Sequence, residues 1–337
     1  MSDLQPLVDS ADVAALLRAV DGLCANREWE ALADLARRCL QAVELGKQLW
    51  PVAMHIDYRL ALEAPPAHCA AVLRPGAARF ALGPLTEVAA GRHDWASLAP
   101  YLSDPASAAA VAQERVIRGE NLTYAAGELL AELPLQLQPW EPPYALPRYR
   151  DREASFPLPT AATGPLGPPT RLPPAGSLDG DDPDDDAGAS ALRDVVEAWA
   201  TQSSGQVRTA TVEDAAAGAV GRLLVDTGRD PDASMVQLTP ADALAILQWA
   251  GASGGAYGRR RGGARGRFAA WSAAAALAGL DWPVDPIAMG EALDELSWFR
   301  WAPPGPETGW VLRLAISDPV DGLAWAIDAT DQRVDDV

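Results

Sequence analysis

Lysine is almost missing from this chain: Lys47 is the only one among 27 basic residues, and arginine supplies the rest. Cysteine is nearly as scarce. Cys24, Cys39 and Cys69 form an odd, sparse set, which excludes a disulfide framework. The three histidines, His55, His68 and His93, all lie in the first third of the chain. No segment is basic overall. The formal charge is −5 over 1–150, −6 over 151–190 and −8 over 191–337, giving the total of −19. Such a surface repels nucleic acid and anionic membrane at long range, so any anion site has to be local. The longest apolar run, 268–280, is well short of a membrane span. The first residues lack the basic and apolar stretches of a secretory leader. Together these features point to a cytoplasmic protein that does not enter a membrane.

What is present is globular: 49% apolar and 22% charged residues, with 12 tryptophans. The expected fold class is mainly α with a smaller α+β part, in three segments: a helical domain over 1–135, a linker over 136–190 and an α+β domain over 191–337. In the first segment Leu16, Val20 and Leu23, then Trp29, Leu32, Leu35, Ala36, Cys39 and Val43, recur at helical spacing. A third helix over 45–62 stops before Pro65 and Pro66. Further helices are expected over 111–117 and 122–133. The pattern Glu28-Trp29-Glu30-Ala31-Leu32 is echoed by Asp94-Trp95-Ala96-Ser97-Leu98, which raises the possibility of helical-hairpin repeats. Stacked hairpins present a face to a protein partner.

The middle segment is rich in proline, with 12 of the chain's 29 between 139 and 183. It ends in an aspartate run, 179–186, and reads as largely disordered. Pro183 breaks the spacing a calcium loop would need. In the last segment, Leu192, Val195, Val196 and Trp199 mark a helix, 206–212 a strand and 212–224 a helix. Thr239, Pro240 and Asp242 open a helix ending at Gly251. A helix over 287–296 leads into a three-stranded antiparallel meander, 298–301, 310–316 and 323–327.

The segment with chemical character is 251–267. Five arginines and four glycines fall within 258–267, ahead of an apolar helix. Glycine loops that open a helix present amides to anions, and guanidinium forks match phosphate. The candidate ligand set is Gly254, Gly255, Gly258, Arg259, Arg260, Arg261, Arg265 and Arg267. These arginines repel one another, so something negative is expected beside them: internal carboxylates, the aspartate run docking back, or a bound anion. The run Gly-Gly-Ala-Tyr-Gly-Arg-Arg-Arg-Gly, its Ala/Trp-rich helix and the tryptophan-bearing end resemble an uncharacterised bacterial family carrying a domain of unknown function, mainly over 238–300. That resemblance implies no activity, cofactor or catalytic residue.

Enzyme signatures fail. Gly251, Ser253 and Gly255 fit a hydrolase elbow in letters only, since a helix precedes Ser253 and no histidine follows it. A zinc site from Cys24, Cys39, His55 and Cys69 is less consistent with the pattern than buried thiols on helix faces. No cofactor motif occurs. The leading expectation is a non-catalytic binding or scaffold protein. The alternative is a protein that binds phosphate-bearing ligands, or an enzyme acting on them, through 254–267.

Overall fold

A computed structural model describes residues 4–74, 81–125, 132–173 and 186–333. The chain forms two compact units, interleaved in sequence: 1–131 with 147–156, and 132–146 with 157–337. The stretch read as a linker thus begins inside the second unit and returns to the first. Residues 174–185, most of the aspartate run, lie outside the described part; Asp186 caps a helix.

The first unit is helical: α1 (Gln5–Ser10), α2 (Val13–Ala25), α3 (Trp29–Glu44), α4 (Trp50–Glu63), α5 (Pro66–Val72), α6 (Leu85–Ala90), α7 (Trp95–Leu98) and α8 (Pro105–Val116). Asp12 starts α2 by accepting from the Ala15 amide at 2.9 Å. Leu16, Val20 and Cys24 of α2 and Leu32, Leu35 and Cys39 of α3 are buried, the stripe that 3.6-residue periodicity demands. Ala64 turns extended ahead of Pro65 and ends α4. Leu45, expected inside the third helix, is instead exposed before it. The 122–133 helix is reduced in the described part to a single turn of 3₁₀ helix, Thr123–Ala125, and 126–131 lie outside it. Trp29 and Trp95 are both buried, but α3 has 16 residues and α7 four, so the echoed pattern does not sit on equal hairpins. A two-residue ribbon, β1 (Arg148–Tyr149) with β2 (Ala154–Ser155), completes the unit. It is held where the Tyr149 hydroxyl donates to the buried Glu87 carboxylate at 2.5 Å and the Tyr58 hydroxyl donates to the Arg150 carbonyl.

The second unit comprises α9 (Thr160–Thr163), β3 (Thr170–Arg171), α10 (Ala187–Val195), α11 (Glu197–Thr201), β4 (Gln206–Val212), α12 (Ala216–Asp226), β5 (Asp232–Leu238), α13 (Pro240–Ala252), α14 (Gly263–Leu277), α15 (Pro286–Glu295), β6 (Ser297–Ala302), β7 (Trp310–Asp318) and β8 (Leu323–Asp331). The meander is present as β6, β7 and β8, but it is the centre of a six-stranded antiparallel sheet of order β3-β5-β6-β7-β8-β4. Alternation along β7 sends Leu312, Leu314 and Ile316 to one face, under α10, α13, α14 and α15, and Ala315 to the other, under α12. The tryptophans fill these layers: Trp199, Trp271, Trp298 and Trp301 are all fully buried. Among the described residues no helix is long and apolar enough to cross a membrane.

Helices α13 and α14 run in close contact because each carries glycine where they meet. A methyl group built on Gly266 would lie 2.2 Å from the Gln248 carbonyl oxygen, and one on Gly251 2.8 Å from Ala269 Cβ. Alanine normally gains about 1 kcal/mol over glycine inside a helix. Here the clash with backbone reverses the sign, and we expect Gly266→Ala to destabilise by about 1–3 kcal/mol in a denaturant melt. A net gain in stability would mean that the two helices are not held at this distance.

Asp57, on α4, is buried with the Arg74 guanidinium 3.7 Å away. Burial pushes its carboxyl up to about 6, against the weaker opposing pull of Arg74. The folded state therefore binds the proton more tightly than the unfolded chain, whose aspartates titrate near 4. The contribution of Asp57 to stability is fullest below about pH 4, declines as pH rises to about 6, and stays lowered above. Asp57→Asn should flatten that decline and raise stability at pH 7.5, by on the order of 2 kcal/mol. Thermal melts of both proteins across pH 4–8 check this; parallel curves would refute it.

Candidate functional site

The arginine–glycine segment divides in two. Residues 253–262 are loop, and α14 begins at Gly263, earlier than expected, because Gly262 adopts φ 101 and turns the chain into the helix. Arg265 and Arg267 therefore lie on the first turns of α14, not on the loop. Two residues apart on a helix means nearly opposite faces, and the two side chains part company.

Arg267 is wholly buried, which corrects its expected place in a ligand set. Its guanidinium forms a two-pronged pair with the equally buried Glu141, Nη2 to Oε1 at 2.6 Å and Nε to Oε2 at 2.7 Å. Two further N–H groups donate to the carbonyls of Pro134 at 2.9 Å and Gln136 at 3.2 Å. Glu141 also accepts from the Tyr144 hydroxyl, the Trp271 indole and the Gln138 amide. Burial raises the Glu141 carboxyl, but Arg267 outweighs it and holds the group below its usual range. Burial, and then the Glu141 charge, push the Tyr144 phenol well above its ordinary value. Trp140 packs at a tilt of 44° against Trp271 with ring centres 4.7 Å apart. The job of Arg267 is to fasten 132–146 onto α14.

The glycines serve close approach. A Cβ on Gly254 would meet the Arg259 carbonyl at 2.1 Å, and one on Gly258 the Gly254 carbonyl at 1.9 Å. Gly255, at φ +80, turns the loop. One loop amide meets an anion of the protein's own: the Ala256 amide donates to Asp331 Oδ2 at 2.7 Å, and Ser204 donates to Oδ1 at 3.0 Å. The Gly255 amide donates to Ser253 Oγ and the Tyr257 amide to Ser203 Oγ. Of the amides expected to cradle a ligand, that of Gly255 is thus taken by Ser253. Nothing in the sequence marks Asp331, Ser203 or Ser204 as partners, because Ser203 and Asp331 lie 54 and 75 residues from the amides they meet, and Ser204 lies 127 residues from Asp331.

Four arginines stay at the surface: Arg259 and Arg265 exposed, Arg260 and Arg261 half-buried. Among the described residues no carboxylate lies within salt-bridge distance of Arg261 or Arg265. Burial, then the like charge of Arg265, lower the affinity of Arg261 for its proton, and Glu197 offsets this only in part. The Arg265 guanidinium sits 5.1 Å over the Phe268 ring, whose edge meets Trp282 at 5.2 Å. The result is a surface of guanidinium and aromatic groups at the start of α14.

A family model described as a family of unknown function, DUF6183, matches residues 14–332. The chain belongs to the DUF6183 family. The match spans both units, far beyond the 238–300 region that carries the resemblance in the sequence. No curated protein and no solved structure matches it. In this DUF6183 chain the three cysteines are free and buried. Burial lifts the thiols of Cys24 and Cys39 to about 11 and that of Cys69 to about 12, which makes them poor nucleophiles. Among the described residues no group of three His, Cys, Asp or Glu side chains is placed to hold a metal ion.

The buried pair gives a direct test. Glu141→Gln leaves an uncompensated guanidinium in the core and should cost about 3–5 kcal/mol in unfolding free energy. Combining it with Arg267→Met should recover most of that loss. Equal losses in the single and double variants would show that the pair does not carry the attachment.

Proposed function

We propose that this DUF6183 chain is a cytoplasmic binding protein whose second unit recognises an anionic, phosphate-bearing ligand at the surface formed by Arg259, Arg260, Arg261 and Arg265. The observation that carries this reading is a half-buried Arg261 that feels the like charge of Arg265, while among the described residues no carboxylate lies in salt-bridge range of either. A bound anion removes that repulsion and gains charge-assisted hydrogen bonds. Phe268 and Trp282 beside Arg265 add rings on which an aromatic part of the ligand stacks. The acidic remainder of the chain disfavours long polyanions, so a small phosphoester fits better than nucleic acid. The buried, unpaired thiols agree with a reducing compartment.

A partner protein for the helical unit is the second reading. It is supported by a groove of about 620 Å³ among α1, α2 and α3, lined by Leu23, Ala31, Asp34, Leu35 and Arg38.

Titration of pyrophosphate, a nucleotide and a short oligonucleotide at two salt concentrations tests the first reading. Arg261→Ala with Arg265→Ala, which leaves the core untouched, should weaken pyrophosphate and nucleotide binding about 10-fold or more. Unchanged affinity, or no binding by the folded native chain, would end this reading and direct the search to the helical unit.

A further inference from the structure

The turn between β6 and β7 is built from Pro303, Pro304, Gly305 and Pro306, a sequence that restricts its own backbone. It delivers Glu307 to the sheet between two arginines from opposite faces. Arg300, on β6, shares its face with Trp298 and Leu314; Arg313, on β7, lies over Trp301 on the other face. Glu307 reaches both, at 2.5 Å to Arg300 Nη2 and 3.4 Å to Arg313 Nη1. Arg313 also pairs with Asp328 at 2.7 Å, and Asp328 with Arg229. Arg300 spends one further donor on the Gly164 carbonyl at 2.7 Å.

This chain of charges does not balance. Three guanidiniums, Arg229, Arg313 and Arg300, share two carboxylates, Asp328 and Glu307. The two acids differ in burial: the Asp328 side chain is 5% exposed, and that of Glu307, on its turn, 27%. Glu307 is thus the member that can leave. It also stands where two cavities meet, both lined by Glu307, Val311 and Arg313. The larger, about 510 Å³, is polar, with Gln206, Thr308, Thr330 and Gln332 on its walls. Asp331 and Arg333 also line it and cancel in charge, each already bonded to the 253–262 loop. The smaller, about 260 Å³, is an apolar slot between α9 and α13, walled by Leu158, Ala162, Ile246 and Trp249, with Arg300 at its side.

An apolar slot with converging donors at one end is the usual form of a small-molecule site. Two guanidiniums converging on one position, Arg300 and Arg313, select an anion, and the planar fork selects a carboxylate. We propose that this slot binds a small carboxylic acid with a single-ring or branched apolar body. The body lies against Trp249 and Ile246, and the carboxylate takes the place of Glu307 between Arg300 and Arg313. Glu307 is an internal stand-in for the ligand, and its part-exposed side chain swings to solvent when the ligand enters. The site shares no residue with the Arg261 and Arg265 surface and stands or falls separately from it.

Isothermal calorimetry with phenylacetate and its uncharged analogue phenylacetamide tests the proposal on the full chain. Phenylacetate should bind the native protein and raise its melting temperature, and phenylacetamide should do neither at millimolar concentration. Glu307→Gln, which removes the competing carboxylate, should bind phenylacetate about 10-fold more tightly. Arg300→Ala should lose binding, and Arg261→Ala with Arg265→Ala should leave it unchanged. The proposal is overturned if folded Glu307→Gln binds the acid no better than the amide, or binds neither. It is also overturned if Glu307→Gln and the native chain bind phenylacetate equally.

Discussion

The second unit depends on one buried ion pair, Arg267 with Glu141. A carboxylate and a guanidinium removed from water cost several kcal/mol each unless every donor and lone pair is met. Here two guanidinium–carboxylate bonds, two carbonyls and three further donors close the cluster. The pair brings 132–146 onto α14 and seats Trp140 against Trp271. Removing either partner alone would strand a charge in the core, so the attachment is strict in its requirement even if modest in net stabilisation.

That pair also explains the composition of α14. One face must approach α13 within a glycine's reach, hence Gly266. The next residue turns into the strap, hence Arg267. Arg265 is left on the outer face with Phe268. A run that looks like a uniform basic cluster is therefore three separate tasks, assigned by the 100° each helical residue advances.

A chain with 19 surplus negative charges has carboxylates to spare, and it places them against its own donors. Asp331 takes the amide of the glycine loop, Glu141 takes Arg267, and Asp328 and Glu307 thread through Arg229, Arg313 and Arg300. The ligand sites inferred here are the places where that internal neutralisation falls short: two like charges at Arg261 and Arg265, and three cations sharing two acids around Glu307.

Much of the architecture was legible in the sequence because its causes are local. Thr239 bonding the Asp242 amide, Pro240 in the first turn, the strand over 206–212 and the alternation of β7 involve residues two to four apart, and their outcome does not wait for the rest of the chain. The antiparallel meander followed from short turns between alternating runs. Tertiary structure alone decided that β5 and β3 extend the meander to six strands, that a proline-rich stretch splits between two units, and that Arg267 points inward while Arg265 points out. Those outcomes rest on partners far away in sequence, Thr170 from Ala233, Leu238 from Trp298 and Gln136 from Arg267 among them. Side-chain chemistry announces that an arginine or a row of amides needs an anion; only the packing of distant segments determines which carboxylate arrives.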